Sequence, residues 1–499
     1  MRGNSDGLAS LPFWIPILLS LSAGCTPSLL TGPDFCRYPK PRTCSRYDWA
    51  SARILFHSKM SVTGAWDTAG TSSYNVWLAS LDSATRTPLT QNTAAAHDAN
   101  FAVFSPNQSH VTFNTAHVFS TAWNGGANAN ANVVRMDRTY SGTGSDISQF
   151  PGQNTTGGIH SYNPIFNPDS TKILYYSRGN VTNGPGYAAN AAPYPVTYNL
   201  WLMNLDGTSR APLTFNTVAS HSAVYPVFSE SGTTIYFISR QPITTTTSSW
   251  DVMPNLSNMN IWRINTDGTN MIALTRNDST VTAGMDSGAT VGLVYGGVDV
   301  FPGSRHLIVS SQMSLSTTRS NWNVQPASSW NLWRISADYT EDPVPLTRET
   351  NVNGVSWSPQ FFNYRGVDWI AYSSNSATDG TYGGLNANNI ENVWIMRADG
   401  QCRKALTSYT VAGGTPTNGA SVRVSPDGSR IAFNAKYPMT TGGDFDPTGT
   451  TSPSDNIWVV NVDGTGLKAV TRNRSVAALD TALSARGGVW YLPNQADCD

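Results

Sequence analysis

Short runs of alternating apolar and polar residues recur along this chain. After the N-terminal stretch, no segment keeps apolar residues at helical spacing over a useful length. One class of run reads KILYYS (172–177), TIYFIS (234–239), WIAYSS (369–374) and RIAFNA (430–435). β-Branched and aromatic residues at period two predict strands. A second class carries tryptophan in its third place: NVWLAS (75–80), NLWLMN (199–204), NIWRIN (260–265), NLWRIS (331–336), NVWIMR (392–397) and NIWVVN (456–461).

The second class opens a longer phrase. Residues 199–214 read NLWLMNLDGTSRAPLT, and 260–275 read NIWRINTDGTNMIALT. The Asp-Gly-Thr step predicts a tight turn, because Gly and Asp accept the positive φ that such turns need. The terminal Leu-Thr then predicts a fourth strand. Phrases such as AVYPVFSESG (223–232) and SVRVSPDGS (421–429) predict a first strand and its hairpin turn. Each unit therefore reads as four antiparallel strands.

A degenerate copy, NVVRMD (132–137), has Val134 where tryptophan would stand. Seven units result, and repetition of four-stranded units predicts an all-β, seven-bladed β-propeller. The recurring Trp77, Trp201, Trp262, Trp333, Trp394 and Trp458 are read as core between blades. The ends predict closure. The first unit starts at its second strand, RILFHS (53–58), and the chain finishes with an orphan first strand, ALDTALS (478–484). GGVWYLP (487–493) resembles a second strand as well and competes for the same slot; the sequence leaves that choice open. Residues 49–493 make up the propeller and 494–499 a tail.

The Asn-[Leu/Ile/Val]-Trp…Asp-Gly-Thr…Leu-Thr phrase, with its Ser-Pro-Asp-Gly hairpins, resembles the TolB-type propeller repeat of bacterial envelope proteins. The resemblance covers roughly residues 50–492. It implies a recognition scaffold for an envelope protein or peptide. The chain departs from TolB in having seven units rather than six and no separate N-terminal α/β domain.

Charge adds an exclusion. Charged residues are 13% of the chain and the formal net charge is −1, so no basic field exists for a nucleic-acid partner. Residues 1–25 read as an export signal. LPFWIPILLSLSA (11–23) is too short to span a bilayer, and Leu21-Ser22-Ala23-Gly24-Cys25 resembles a lipobox. Lipidated Cys25, a tether over 26–48 and a place in the bacterial cell envelope follow as expectations, with the lipid as the membrane contact. Cleavage without lipidation and an uncleaved anchor are the alternatives. Cys36, Cys44, Cys402 and Cys498 remain as disulfide candidates in an oxidising compartment. Proximity favours Cys36–Cys44 and leaves Cys402–Cys498; other pairings and free thiols stay open.

Function is expected on one face. The long connections all run from second to third strand, and in a propeller they emerge beside the blade-to-blade links. Trp66, Trp123, Tyr187, Tyr194, Trp250, Trp322, Trp330 and Tyr382 lie in or at the edges of these loops, among Asn, Ser, Thr and Gly. Rigid aromatics beside adaptable polar groups suit recognition of a protein or a glycan, although each ring could instead pack its own loop. His97, His160 and His221 precede the first strands of three consecutive units and are candidate ligands for a divalent metal. Some propeller lyases acting on pectic fragments use channel histidines this way, which makes a metal-dependent polysaccharide lyase an alternative. Hydrogen-bonded loop anchors are the plainer reading. Asp444, Asp446 and Asp455 form a weaker oxygen-ligand group. No Gly-x-Ser-x-Gly elbow, His-Glu-x-x-His or Walker loop is present, so no catalytic residue is assigned and no other cofactor is expected.

Overall fold

The computed structural model describes residues 47–62, 73–92, 98–117, 127–137, 147–149, 160–179, 197–218, 221–246, 259–276, 298–300, 305–320, 329–378, 384–386, 389–409, 421–446, 449, 452, 454–474, 481–483 and 489–493. The chain divides into Met1–Arg37, which lies outside these residues, and Tyr38–Asp499. The second unit holds seven antiparallel sheets, and no α-helix occurs among the described residues.

Six sheets take their strands in chain order from inside to outside. Blade two runs Ala99–Phe104, His110–His117, Ala127–Asp137, Ile147–Gln149. Blade three runs Ser161–Phe166, Lys172–Ser177, Asn199–Asn204, Ala211–Pro212, and blade four Ala223–Phe228, Thr234–Ser239, Asn260–Asn265, Ile272–Ala273. Blade five runs Val298–Val300, His306–Ser311, Asn331–Ser336, Val344–Pro345. Blade six runs Ser356–Tyr364, Val367–Ser374, Asn392–Arg397, Lys404–Ala405, and blade seven Arg423–Val424, Arg430–Ala435, Asn456–Asn461, Lys468–Ala469. Each blade packs against the next, and blade seven packs against blade one. The ring is closed, which leaves few strand edges open to pairing.

Blade one settles the competition between the terminal segments. Its Arg53–Ser58 strand pairs with Asn75–Ser80, which pairs with Arg86–Pro88. On the inner edge of Arg53–Ser58 lie both Thr481–Ala482 and Trp490–Tyr491. GGVWYLP is therefore not a second strand. It is the far half of a split inner strand. The reason is visible in other blades, whose inner strands are bulged. Register shifts occur between Asn100 and Val103, Tyr162 and Ile165, Val224 and Val227, and Trp357 and Gln360. Each bulge holds a left-handed residue: Phe101 (φ 55), Asn163 (φ 54), Tyr225 (φ 52) and Ser358 (φ 50). In blade one the pairing is likewise interrupted between Ala482 and Trp490, and the Leu55 N–H donates to the Val489 carbonyl at 2.8 Å.

The repeated phrase is explained by a clasp. Nδ2 of Asn199 donates to the Asn216 carbonyl (2.8 Å), while its Oδ1 accepts from Thr214 Oγ1 (2.9 Å) and from the Asn216 N–H (2.8 Å). Thr214 Oγ1 accepts in turn from the Leu200 N–H. The same set recurs at Asn75 with Thr90 and Asn92, and at Asn456 with Thr471 and Asn473. Asn331 uses Thr347 and Glu349, and Asn392 uses Thr407 and Tyr409. The first residue of the third strand thus fixes the chain as it leaves the fourth. Between those two points the tryptophan fills the space between blades: Trp77, Trp262, Trp333, Trp394 and Trp458 are at most 1% exposed. Val134 is equally buried, so blade two keeps an apolar residue there.

Candidate recognition rim

The start of each inner strand, the end of the second, the start of the third and the end of the fourth share one face. The long connections leave from the second and third of these points. The residue just before the clasp asparagine reaches across to the next blade. The Ala99 N–H donates to the Tyr74 carbonyl (2.9 Å), the Ala223 N–H to that of Tyr198 (2.8 Å), and the Ser356 N–H to that of Trp330 (3.0 Å). Tyr74, Tyr198 and Trp330 are therefore equivalent aromatics, one at each of three seams.

Two seams repeat a cluster around that ring. At the seam of blades one and two, Lys59 Nζ lies 4.6 Å from the Tyr74 centroid. His57 meets Tyr74 edge-on at 5.3 Å and lies tilted against Phe101 at 6.2 Å. At the seam of blades three and four, the Arg178 guanidinium lies 4.5 Å from the Tyr198 centroid. Tyr176 meets Tyr198 edge-on at 5.3 Å and Tyr225 at 5.8 Å. Lys59 and Arg178 both directly follow a second strand, and Phe101 and Tyr225 both sit in inner-strand bulges. One template thus places a cation over an aromatic beside a strained aromatic, twice. A positive φ on a bulky residue costs about 1–3 kcal/mol, and such strain clusters at functional sites.

The seam of blades five and six is built differently. Trp330 stands there with buried carboxylates nearby. Glu391 Oε2 accepts from Trp357 Nε1 (2.7 Å) and Ser373 Oγ (2.8 Å). Glu349, fully buried, accepts from Ser376 Oγ and pairs with Arg403.

Of the candidate residues singled out in the sequence, His160, His221, Trp330, Cys402, Asp444, Asp446 and Asp455 are described. Trp66, His97, Trp123, Tyr187, Tyr194, Trp250, Trp322 and Tyr382 lie outside the described residues, as do Cys25, Cys36, Cys44 and Cys498. Cys402 is disulfide-bonded; its partner lies outside the described residues. His221 is fully buried, with its N–H on the Val218 carbonyl (3.0 Å) and its carbonyl on Ser239 Oγ (3.1 Å). His160 is half-buried and stacks on Tyr162 at 5.6 Å and 13°. Its Nδ1 accepts from the Ala131 N–H at 3.2 Å. Burial, and then the Arg178 charge, push its imidazole below the usual histidine range. Asp444 makes a backbone bridge to Lys468. Among the described residues, no group of three or more His, Cys, Asp or Glu could hold a metal ion.

Tyr74, Tyr198, Lys59 and Arg178 are missing from a reading that begins each phrase at its asparagine. The signal was one residue upstream: Tyr74, Tyr198 and Trp330 each stand immediately before that asparagine.

No family model and no curated protein matches the chain. Several solved structures resemble it. A TolB from Acinetobacter baumannii aligns at TM-score 0.37 and 12% identity, over 71% of this chain and 63% of that one. A puromycin-hydrolysing peptidase from Mycobacterium tuberculosis aligns at TM-score 0.46 and 10% identity, over 88% of this chain and 56% of that one. An oligogalacturonate lyase in complex with manganese aligns at TM-score 0.43 and 13% identity, over 80% and 83%. By its seven antiparallel sheets closed into a ring, this chain is a seven-bladed β-propeller, and its repeat phrase resembles the TolB type.

Proposed function

We propose that this protein is a recognition scaffold, holding a protein or peptide partner against its long-loop rim. It works in the bacterial cell envelope, tethered by residues 26–48 and a lipid on Cys25. The supporting observation is the twice-built cluster of His57, Lys59, Tyr74 and Phe101, and of Tyr176, Arg178, Tyr198 and Tyr225. Rigid aromatics and cations beside long loops are the side chains that carry binding energy at interfaces. The sequence carries no nucleophile or metalloprotease motif, which favours non-covalent binding. The half-buried Tyr162 and Tyr198 rings also favour a second reading, a glycan stacked on tyrosine. His160 Nδ1 is taken by a backbone N–H and Arg178 stands beside the ring, so no metal is built into the proposal.

The test is capture from bacterial envelope extract on the immobilised full chain, beside a Tyr74→Ala/Tyr198→Ala variant. A specific protein retained by the first and lost by the second is the expected outcome. Equal capture by both, or none by either, rejects the rim. A glycan array separates the second reading. Labelled palmitate incorporated into the parent and not into Cys25→Ser tests the anchor.

A further inference from the structure

The two equivalent seams differ in one charge. At blades one and two, the residue preceding the inner strand is Asp98, whose Oδ1 accepts the Tyr74 N–H at 2.8 Å. At blades three and four the same place is taken by Ser222, whose Oγ accepts the Tyr198 N–H at 3.1 Å. The cation persists and the carboxylate does not. Among the described residues, the ion pairs involve His110, His306, Arg397 and Arg403, and none involves Arg178. Arg178 Nε is buried and has no hydrogen-bond partner. The adjoining stretches 118–126, 150–159, 180–196 and 219–220 contain no Asp or Glu.

The other groups here are donors. His160 accepts at Nδ1, so its neutral ring carries hydrogen on Nε2. Tyr162 and Tyr198 lie 6.0 Å apart, centroid to centroid, and Tyr162 lies 6.1 Å from Tyr176. Burial holds both phenols protonated by raising them above the usual tyrosine range. Arg178 lies with its charge over the Tyr198 ring, and a guanidinium so placed keeps a planar edge of N–H groups for an anion. One cation among neutral donors balances a monoanion; a doubly charged phosphate would leave charge uncompensated.

We propose that Arg178, His160, Tyr162 and Tyr198 form a subsite for a carboxylate carried on a flat apolar body, the carboxylate on Arg178 and the body against the tyrosine rings. The subsite deepens the recognition reading, since it rests on the same rim, and it names the chemistry a partner must present there.

The probes are benzoate and its neutral isostere benzamide, followed by saturation-transfer NMR on the full chain. Benzoate is expected to bind at least tenfold more tightly than benzamide. Arg178→Gln should abolish that preference, Arg178→Lys should keep part of it, and Ser222→Asp should abolish it by restoring the carboxylate of the other seam. Asp at this place is already accommodated in blade two, so Ser222→Asp tests the site without dismantling the fold. Equal binding of the two probes overturns the proposal. So does a preference that survives both Arg178→Gln and Ser222→Asp. A tenfold gain for benzoate in Asp251→Asn would show that the next blade's loop supplies the missing charge, and would also overturn it. Benzoate preference without any captured envelope partner leaves this subsite standing and removes the recognition reading. A captured partner without benzoate preference does the reverse.

Discussion

Nη2 of Arg403 lies 3.3 Å from Oε1 of Glu349, with the two side chains 6% and 0% exposed. The guanidinium is further held by Tyr372 Oη on Nε (3.0 Å), by Ser376 Oγ, and by the Trp394 ring, 5.1 Å to the centroid. Glu349 occupies the clasp position that Asn92, Asn216 and Asn473 fill in other blades. The blade template therefore tolerates a neutral residue there, and the charge is an addition with its own partner. Removing one member strands the other in a dry place. Glu349→Gln is expected to destabilise by about 3–5 kcal/mol. The double variant Glu349→Asn/Arg403→Met should recover most of that loss. Urea unfolding of the parent, both singles and the double measures it. A Glu349→Gln loss below about 1 kcal/mol would mean the pair contributes little.

Asn199 shows why the repeat begins where it does. Its side chain makes three hydrogen bonds at a fully buried position, two of them to Asn216. Each net hydrogen bond contributes about 1 kcal/mol, and leaving its buried partners unsatisfied costs more. Asn199→Ala is expected to lose about 2–4 kcal/mol on that basis. Asn204, on the same strand but partly exposed in the Asp-Gly turn, serves as control; Asn204→Ala should lose less than about 1 kcal/mol. Similar losses at both positions would remove the clasp as the reason for the phrase.

The architecture was legible because the clasp, the tight turn and the tryptophan each demand one residue type at one spacing. Asn199, Gly207 and Trp201 could be seen as a pattern before any contact was known. The split inner strand was not legible. A bulge is a matter of register, and Tyr225 carries no mark in the sequence of its left-handed backbone. The rim was legible in part. Its face follows from loop length, but Arg178 over Tyr198 joins the end of one strand to the start of the next across a long connection, and only folding brings the two together.

Two glycines of the tight turns separate strain from crowding. Gly428 has φ +72, and a Cβ there would stand 2.8 Å from the Asn363 carbonyl oxygen of the preceding blade. Gly268 has φ +82 with nothing within 4 Å. Gly268→Ala should cost about 1 kcal/mol, the left-handed penalty alone. Gly428→Ala adds a backbone clash between blades and should cost at least about 1 kcal/mol more. Thermal unfolding of both variants reads the difference, and equal shifts would show that the blade seam yields freely.

Acid sensitivity should come in two windows. In His160 and His110, burial is the largest cause holding the imidazole below its ordinary value. A depressed histidine takes up its proton more readily when unfolded, so stability is whole above the unfolded value, about 6.5, and declines as pH falls below it. The turn carboxylates act later. Asp338 is drawn down to about 2, chiefly by the Ser336 hydroxyl and then by Thr340. Its contribution is present above the ordinary carboxylate value and is lost as pH falls from there towards 2. His160→Gln should therefore flatten the decline that begins below about pH 6.5 and leave the lower window unchanged. Denaturant midpoints measured from pH 7 to 3 test this; a first decline untouched by His160→Gln would assign it elsewhere.

Closure of the ring depends on Trp490. It extends the inner edge of blade one opposite Ile54, and its Nε1 donates to the Arg423 carbonyl of blade seven at 3.0 Å. Its ring meets Trp49 edge-on at 5.9 Å and is 4% exposed. Two residues on, the Leu492 N–H donates to Gln108 Oε1 of blade two at 3.0 Å. The segment thus ties blades seven, one and two together. In the other blades the inner strand runs on into the second strand; in blade one the inner strand comes from the far end of the chain and is held to Arg53–Ser58 by strand and side-chain contacts. Trp490→Ala removes a buried aromatic and its hydrogen bond and is expected to cost about 3–5 kcal/mol. It should also raise amide exchange first in Arg53–Ser58, because opening begins where the two paired strands are far apart in the chain. Trp330→Ala, away from this closure, should cost less than half as much and leave that strand protected. If exchange instead rises evenly across all seven blades, the closing pair is no weaker than the rest.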